Sequence, residues 1–285
     1  MTTYPRANMQ RVLAGSINPV LRVTLQDQDG DPVAVVGSLL CTITRADGTV
    51  VVSGRTTAAG AGLGAHTCAL TSAEALTLDV LSASWTVSGV VRATSHHRVV
   101  GGFLFGISDV QARRGTQAVD VSSIRAERDR VTDLFERYCG ALAPQYDIES
   151  WIGNDSNRRV LSGRPVRSLR SATTNGTAAV ITGFDIHAAA GLVDADVCFY
   201  GACSIGYEHG MDSAPEDLHQ AAVDTAVDRL MRAANARGPR VRSSTNELGI
   251  TEQFTYAGRD HPTGLDEVDA ILMDYARKRR TSGIG

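Results

Sequence analysis

Up to Gly101-Gly102 the apolar residues recur in short runs with the alternation of half-buried strands: VLRVTLQ, VAVVG, LLCTITRA, TVVVSGRT, AHTCALT and ASWTVSGVVRA. Turn signals separate them, among them Asp29-Gly30, Asp47-Gly48 and Gly60-Ala61-Gly62. Short strands at this spacing predict a β-sandwich over residues 1–105, with Trp85 in a strand plugging its core. Cys41 and Cys68 fall where they could face each other across the two sheets, and two small buried thiols are the expected reading in a reducing compartment.

Beyond the glycine pair the period becomes helical. Ser108 and Gln111 fit a capping box with Gly115 as a stop, and a longer helix is expected from Asp120 or Ser122 to Cys139, ended by Gly140. A β-rich stretch follows at about 151–209, with RRVLS, PVRSLRSA, AAVITGFDIH, LVDADVCFY and ACSIGYEHG and an Asn175-Gly176 hairpin signal. Ser213, Pro215 and Glu216 then open the longest predicted helix, from Pro215 to Asn235 and closed at Gly238-Pro239, with Leu218, Ala222, Val223, Val227, Leu230 and Met231 on its apolar face.

The last segment, about 248–285, combines a strand and a helix. Ile250, Phe254 and Tyr256 occupy even positions between Thr251, Gln253 and Thr255, the period of a strand. Thr263, with Asp266 three residues on, is expected to cap a helix whose stripe is Leu265, Val268, Ile271, Leu272 and Tyr275. Asp266, Glu267 and Asp269 lead and Arg277, Lys278, Arg279 and Arg280 trail, in line with the helix dipole.

Composition narrows the function classes. The 285 residues carry a net charge of −3, so no general nucleic-acid or membrane surface is expected. No run of about 18 apolar residues occurs, and MTTYPRANMQ lacks the apolar core of a signal peptide, which predicts synthesis in a cytoplasm. Five widely spaced cysteines are expected to be reduced thiols rather than a secreted framework. Lys278 is the only lysine, so arginine-based inferences are weakened by compositional bias.

The order SDVQARRG, VTDLFERYCG, LSGRPVRSLRSATTNG, GYEHGMDSAPEDLHQAAVDTAVDRLM and TGLDEVDAILMDYARKRR resembles that of the head-to-tail adaptor, or connector, proteins of long-tailed bacteriophages over residues 106–285. The N-terminal region looks like an added immunoglobulin-like module. The resemblance implies an Ig-like sandwich followed by an α-helical adaptor domain with a β-rich insertion and a C-terminal strand-helix tail. It implies a structural virion protein at the head-tail junction, assembled in the host cytoplasm. The subunits would close a dodecameric ring beneath the portal protein, contact a stopper or tail-proximal connector, and let double-stranded DNA pass. No cofactor, metal or membrane partner is implied.

Under that resemblance the portal-docking residues would be Phe254, Tyr256, Leu265, Val268, Ile271, Leu272, Tyr275, Arg277 and Lys278. A free strand edge and a small helix with one apolar face both suit docking. Asp217, Asp224 and Asp228 share one side of the long helix with Arg232. They read either as an ordinary solvated face with an i,i+4 pair or as a negative lumen or subunit interface that repels phosphates.

Other chemistries find little in the sequence. There is neither a GxSxG elbow nor an HExxH helix, and Lys278 lies in a basic run rather than a phosphate loop. Cys198, Cys203, His209 and His187 lack the spacing of common zinc sites. The Asp27-Gln-Asp29-Gly-Asp31 string is expected to be a hairpin turn rather than a calcium loop. The alternative function is a virion binding module or adhesin whose N-terminal domain contacts a surface glycan or capsid; the scarcity of aromatics there, Tyr4, Trp85, Phe103 and Phe105, argues against a sugar platform.

Overall fold

A computed structural model describes residues 9–113, 115–234, 243–245, 251–253 and 261–281. The chain forms two compact units, residues 1–102 with 143–212, and residues 103–142 with 213–285.

The first unit is all β. Its N-terminal strands are β1 (Gln10–Leu13), β2 (Val20–Thr24), β3 (Leu39–Arg45), β4 (Val50–Thr56), β5 (Ala58–Ala59), β6 (Ala65–Ala69), β7 (Asp79–Val87) and β8 (Val90–Val100). They form a five-stranded sheet ordered β1-β8-β7-β3-β4 and a three-stranded sheet ordered β2-β6-β5. Alternation decides which face each strand buries. Leu39, Cys41 and Ile43 of β3 and Leu81, Ala83 and Trp85 of β7 turn inward to a core shared with Leu21 and Cys68 of the smaller sheet. Trp85 is fully buried and its indole N–H donates to Ser95 Oγ at 2.8 Å. Ser95 Oγ also lies 2.8 Å from His97 Nε2, and burial holds the His97 imidazole down at about 3. The Asp27–Asp31 string is a turn, in which Asp27 Oδ1 accepts from the backbone N–H groups of Asp29 and Asp31.

The same unit continues with β9 (Gln145–Val160), β10 (Val166–Thr174), β11 (Thr177–Ala178), a short 3-10 turn (Ile181–Gly183), β12 (Asp185–His187) and β13 (Leu192–His209). β9 and β13 pair antiparallel from Gln145↔His209 to Val160↔Leu192, while β10 and β12 pair with β13 as well. Trp151, Phe184 and Phe199 meet edge to face inside this sheet, with ring centroids 5.3 and 6.0 Å apart.

The second unit holds α1 (Ile107–Gln111), α2 (Val121–Cys139), α3 (Glu216–Ala234), the paired strands β14 (Ser243–Thr245) and β15 (Thr251–Gln253), and α4 (Asp266–Thr281). Asp120 caps α2 by accepting from Ser122 and Ser123 N–H, and Gly140 ends it at φ +87, a conformation that only glycine adopts without strain. α1 begins after Gly106, whose N–H donates to Asp109 at 2.6 Å, so Asp109 rather than Gln111 closes its first turn. Ile124, Val131, Phe135, Leu218, Ala222 and Leu272 are among its buried residues.

The expected fold class does not hold. Strand makes up 41% of the structure and helix 24%, so the chain is mainly β rather than a sandwich followed by an α-helical domain. Residues 143–212 belong to one compact unit with the N-terminal sheets, not to the helical region that flanks them in sequence. An immunoglobulin-like N-terminal domain is not shown either: β1 joins the larger sheet through a parallel pair with β8. The expected C-terminal strand also has a local partner, because 251–253 pairs with 243–245.

Candidate interaction surface

The helix proposed for docking is occupied within its own unit. Val268 and Leu272 of α4 are buried, and Leu265, Ile271 and Tyr275 are half-buried, with α4 packed on α2 and α3. Tyr275 Oη donates to Asp217 of α3 at 3.1 Å; burial together with this carboxylate pushes the phenol up to about 12. The entry to α4 is held by Asp269, which accepts from the Thr263 N–H at 2.8 Å and the Thr263 hydroxyl at 2.7 Å. Asp269 therefore takes the place expected of Asp266. Arg277 and Lys278 are exposed, and Lys278 pairs with Asp274 at 2.6 Å. Phe254 and Tyr256 lie outside the described residues.

The acidic side of α3 is also partnered. Asp224 meets Arg113 at 3.2 Å, Asp228 meets Arg232 at 2.8 Å, and Asp217 holds Tyr275. Two of the three carboxylates are thus paired with cations. The contact between Asp228 and Arg232 is an i,i+4 pair along the helix. His219 Nε2 lies 3.2 Å from Asp109, joining α3 to α1.

The proposed metal candidates separate. Cys198 is exposed, while the buried Cys203 donates its thiol to the Tyr200 carbonyl at 3.2 Å. His187 lies 3.5 Å from Asp194, and His209 lies 3.1 Å from Asp147. Among the described residues, no group of three or more His, Cys, Asp and Glu side chains is placed to hold a metal ion.

A surface that the sequence did not single out stands on the β9–β13 strand pair. The register pairs Ile152 with Ala202 and Asn154 with Tyr200, which puts these four side chains on one face. Ile148 and Ser150 share it by alternation along β9. All six are exposed and none is charged; Ile152 is 78% exposed and Tyr200 49%. β9 pairs only with β13 among the described strands, so its other edge presents backbone donors and acceptors without a strand partner. Gly153 lets the two strands meet here: a Cβ on it would lie 2.3 Å from the Phe199 carbonyl oxygen.

The Gln145–His209 end of the β9–β13 pair is fixed by charge and hydrogen bonds. Arg98 of β8 donates to Gln145 and, at 3.0 Å, to Asp147, and Asp147 also holds His209. Tyr207 donates to Glu149 and accepts from the Gly163 N–H at 3.0 Å. Burial pushes the Tyr207 phenol well above its usual range. Arg170 grips Glu208 and donates to the Leu78 carbonyl at 2.6 Å, tying β10 and β13 to the loop before β7. A strand pair anchored at one end by polar contacts presents its outer face in a fixed orientation within the unit.

The signal for this surface was present but ambiguous. In Tyr146-Asp-Ile148-Glu-Ser-Trp151-Ile152 the adjacent Trp151 and Ile152 place one apolar side chain on each face of a strand, and that pair of neighbours breaks the simple alternation. No protein-family model matches the chain, and no curated protein matches it.

Proposed function

We propose that this chain is a structural virion protein: a head-to-tail connector whose subunits close a ring beneath the portal, join the DNA-filled head to the stopper and tail, and let the genome pass. The observation that carries the proposal is the uncharged, exposed face of the β9–β13 strand pair beside the unpaired β9 edge. A ring needs each subunit to offer one surface to the next and a different one to the previous. A strand edge with an apolar face beside it is suited to one half of such a contact. The motif order over residues 106–285 supplies the context.

The helical unit then acts as a folded block rather than as a tail waiting to order. Its basic end carries Arg277 and Lys278, both exposed, with Lys278 paired to Asp274. Almost all exposed large hydrophobic residues of the described chain, Val121 excepted, lie in the β unit. This distribution favours the β unit as the main assembly surface.

Disruption of the coding sequence in its phage tests the reading. A connector gives filled heads and free tails that fail to join. Complete tailed particles that fail only in adsorption would instead identify a surface-binding module.

A further inference from the structure

We propose that the loop end of the N-terminal sheets, around Val36, Leu63 and Val90, receives the β9–β13 face of a second copy of this chain, so that subunits join head to tail. The proposal rests on the reading of that face as an assembly surface and supplies the other half of the contact. Three loops converge at this end. β7 and β8 turn at Ser88-Gly89, and Val90 stands opposite Val87 across the turn. A Cβ on Gly37 would lie 3.5 Å from Val87 Cγ1, which brings the preceding Val36 beside that pair. The Leu25 N–H donates to the Gly64 carbonyl at 2.9 Å and the Val33 N–H to the Leu25 carbonyl at 3.0 Å, which brings Leu63 to the same loop as Val36. Val36 is 94% exposed and Leu63 64%, and Val90 is exposed as well.

Large apolar side chains gathered at loop tips mark a contact site, unlike single exposed residues. Arg98 and the Leu78 carbonyl, which hold β9 and β10, lie at the other end of β7 and β8. β7 is nine residues long, so the two ends stand roughly 26 Å apart. The loop end and the β9–β13 face are both exposed in one subunit, so neither covers the other. A row of identical copies covers both, each copy giving one surface to the next and the other to the previous.

Charge selects the occupant. The turn from Asp27 to Asp31, closed by the Gln26–Pro32 bridge just before Val33, carries three exposed carboxylates, and among the described residues no cation pairs with them. The β9–β13 face is flanked by a cation instead. Arg159 lies over Trp151 with its guanidinium 4.5 Å from the ring centroid, so the neighbours Arg158 and Ile152 turn together to the opposite, outer side of β9. Arg158 Nε meets Asp194 at 2.6 Å, yet the side chain stays exposed, and a guanidinium has further donors to offer. Apolar loops on an apolar face, with the acidic turn against Arg158, match in both respects. Two loop ends brought together would oppose carboxylates, and a nucleic acid or an anionic membrane would be repelled by them.

The test is native mass spectrometry of the full chain, of Val36→Asp and of Ile152→Asp, alone and mixed. Both positions are exposed, so each variant should keep the Tm of the unmodified chain. The unmodified chain should form dimers and larger assemblies, and each variant alone should be monomeric. An equimolar mixture should give a one-to-one dimer and nothing larger, because Val36→Asp keeps a working β9–β13 face and Ile152→Asp keeps a working loop end. In that dimer, Asp29→Asn/Asp31→Asn on the Ile152→Asp subunit and Arg158→Gln on the Val36→Asp subunit should together cost less affinity than the sum of their separate losses. Strictly additive losses would overturn the charge match and with it the choice of occupant. A mixture that remains monomeric, or a Val36→Asp variant that assembles like the unmodified chain, would overturn the contact itself. So would an unmodified chain that is monomeric throughout, with the connector reading then still decided on a portal; a one-to-one dimer from the mixture beside a bare portal would uphold the contact and sink the connector reading.

Discussion

Tyr275 of α4 donates its hydroxyl to the carboxylate of Asp217 on α3 at 3.1 Å, beside the fully buried Leu272 one turn earlier. This pair makes the last helix part of a folded unit. Leu272→Ala should destabilise the helical unit by about 2–5 kcal/mol through the cavity it leaves. Tyr275→Phe should cost about 1 kcal/mol. Urea unfolding of the isolated chain measures both; a helix kept free for a partner would show no change.

The exposed β9–β13 face predicts the opposite behaviour. Ile152 is 78% exposed, so Ile152→Asp should alter the stability of the isolated chain by no more than about 0.5 kcal/mol. A charge placed on this face should nonetheless abolish self-association, because it would have to be buried without a partner. Thermal unfolding and native mass spectrometry on the same sample separate the two effects.

His97 makes the β unit sensitive to acid. Its folded pKa of about 3 lies below the ordinary 6.5, so between these values the unfolded chain binds a proton that the native chain excludes. The stabilising contribution is fully present above about pH 6.5 and is lost progressively as pH falls toward 3. Between pH 7 and pH 5 the loss should reach roughly 2 kcal/mol. His97→Gln should flatten that slope in urea titrations at the two pH values.

Arg98 secures β9 to the N-terminal sheet through Asp147 and Gln145. Arg98→Met leaves two buried acceptors without this donor and should cost about 3–5 kcal/mol. Hydrogen exchange should accelerate at the backbone amides of residues 145–149 in this variant, while α2 keeps its protection.

Local signals carried much of the secondary structure and little of its grouping. The α2 helix was legible from Asp120 to Gly140 because a cap, an apolar stripe and a glycine stop all lie within the segment. Trp85 was legible in a buried strand because the alternation of β7 is local to its segment. The join between residues 143–212 and the N-terminal sheets rests on pairs such as Arg98 with Asp147 and Arg170 with Leu78, far apart in sequence, and periodicity shows which face a strand covers but not what covers it. The apolar stripe of α4 was read correctly as a stripe, and its occupant, the α2 and α3 surface, could not be read from the stripe alone. The β9–β13 face is not legible locally because Ile152 and Ala202 become neighbours only through the register of two strands far apart in sequence.

Mixing the purified chain with the portal ring that the connector proposal assigns to it, beside the Ile152→Asp variant, and measuring complex mass and symmetry by electron microscopy tests that proposal most directly. The account predicts a closed ring of the unmodified chain on the portal, and scattered or absent subunits for the variant. A portal ring that stays bare in the presence of the unmodified chain would contradict it.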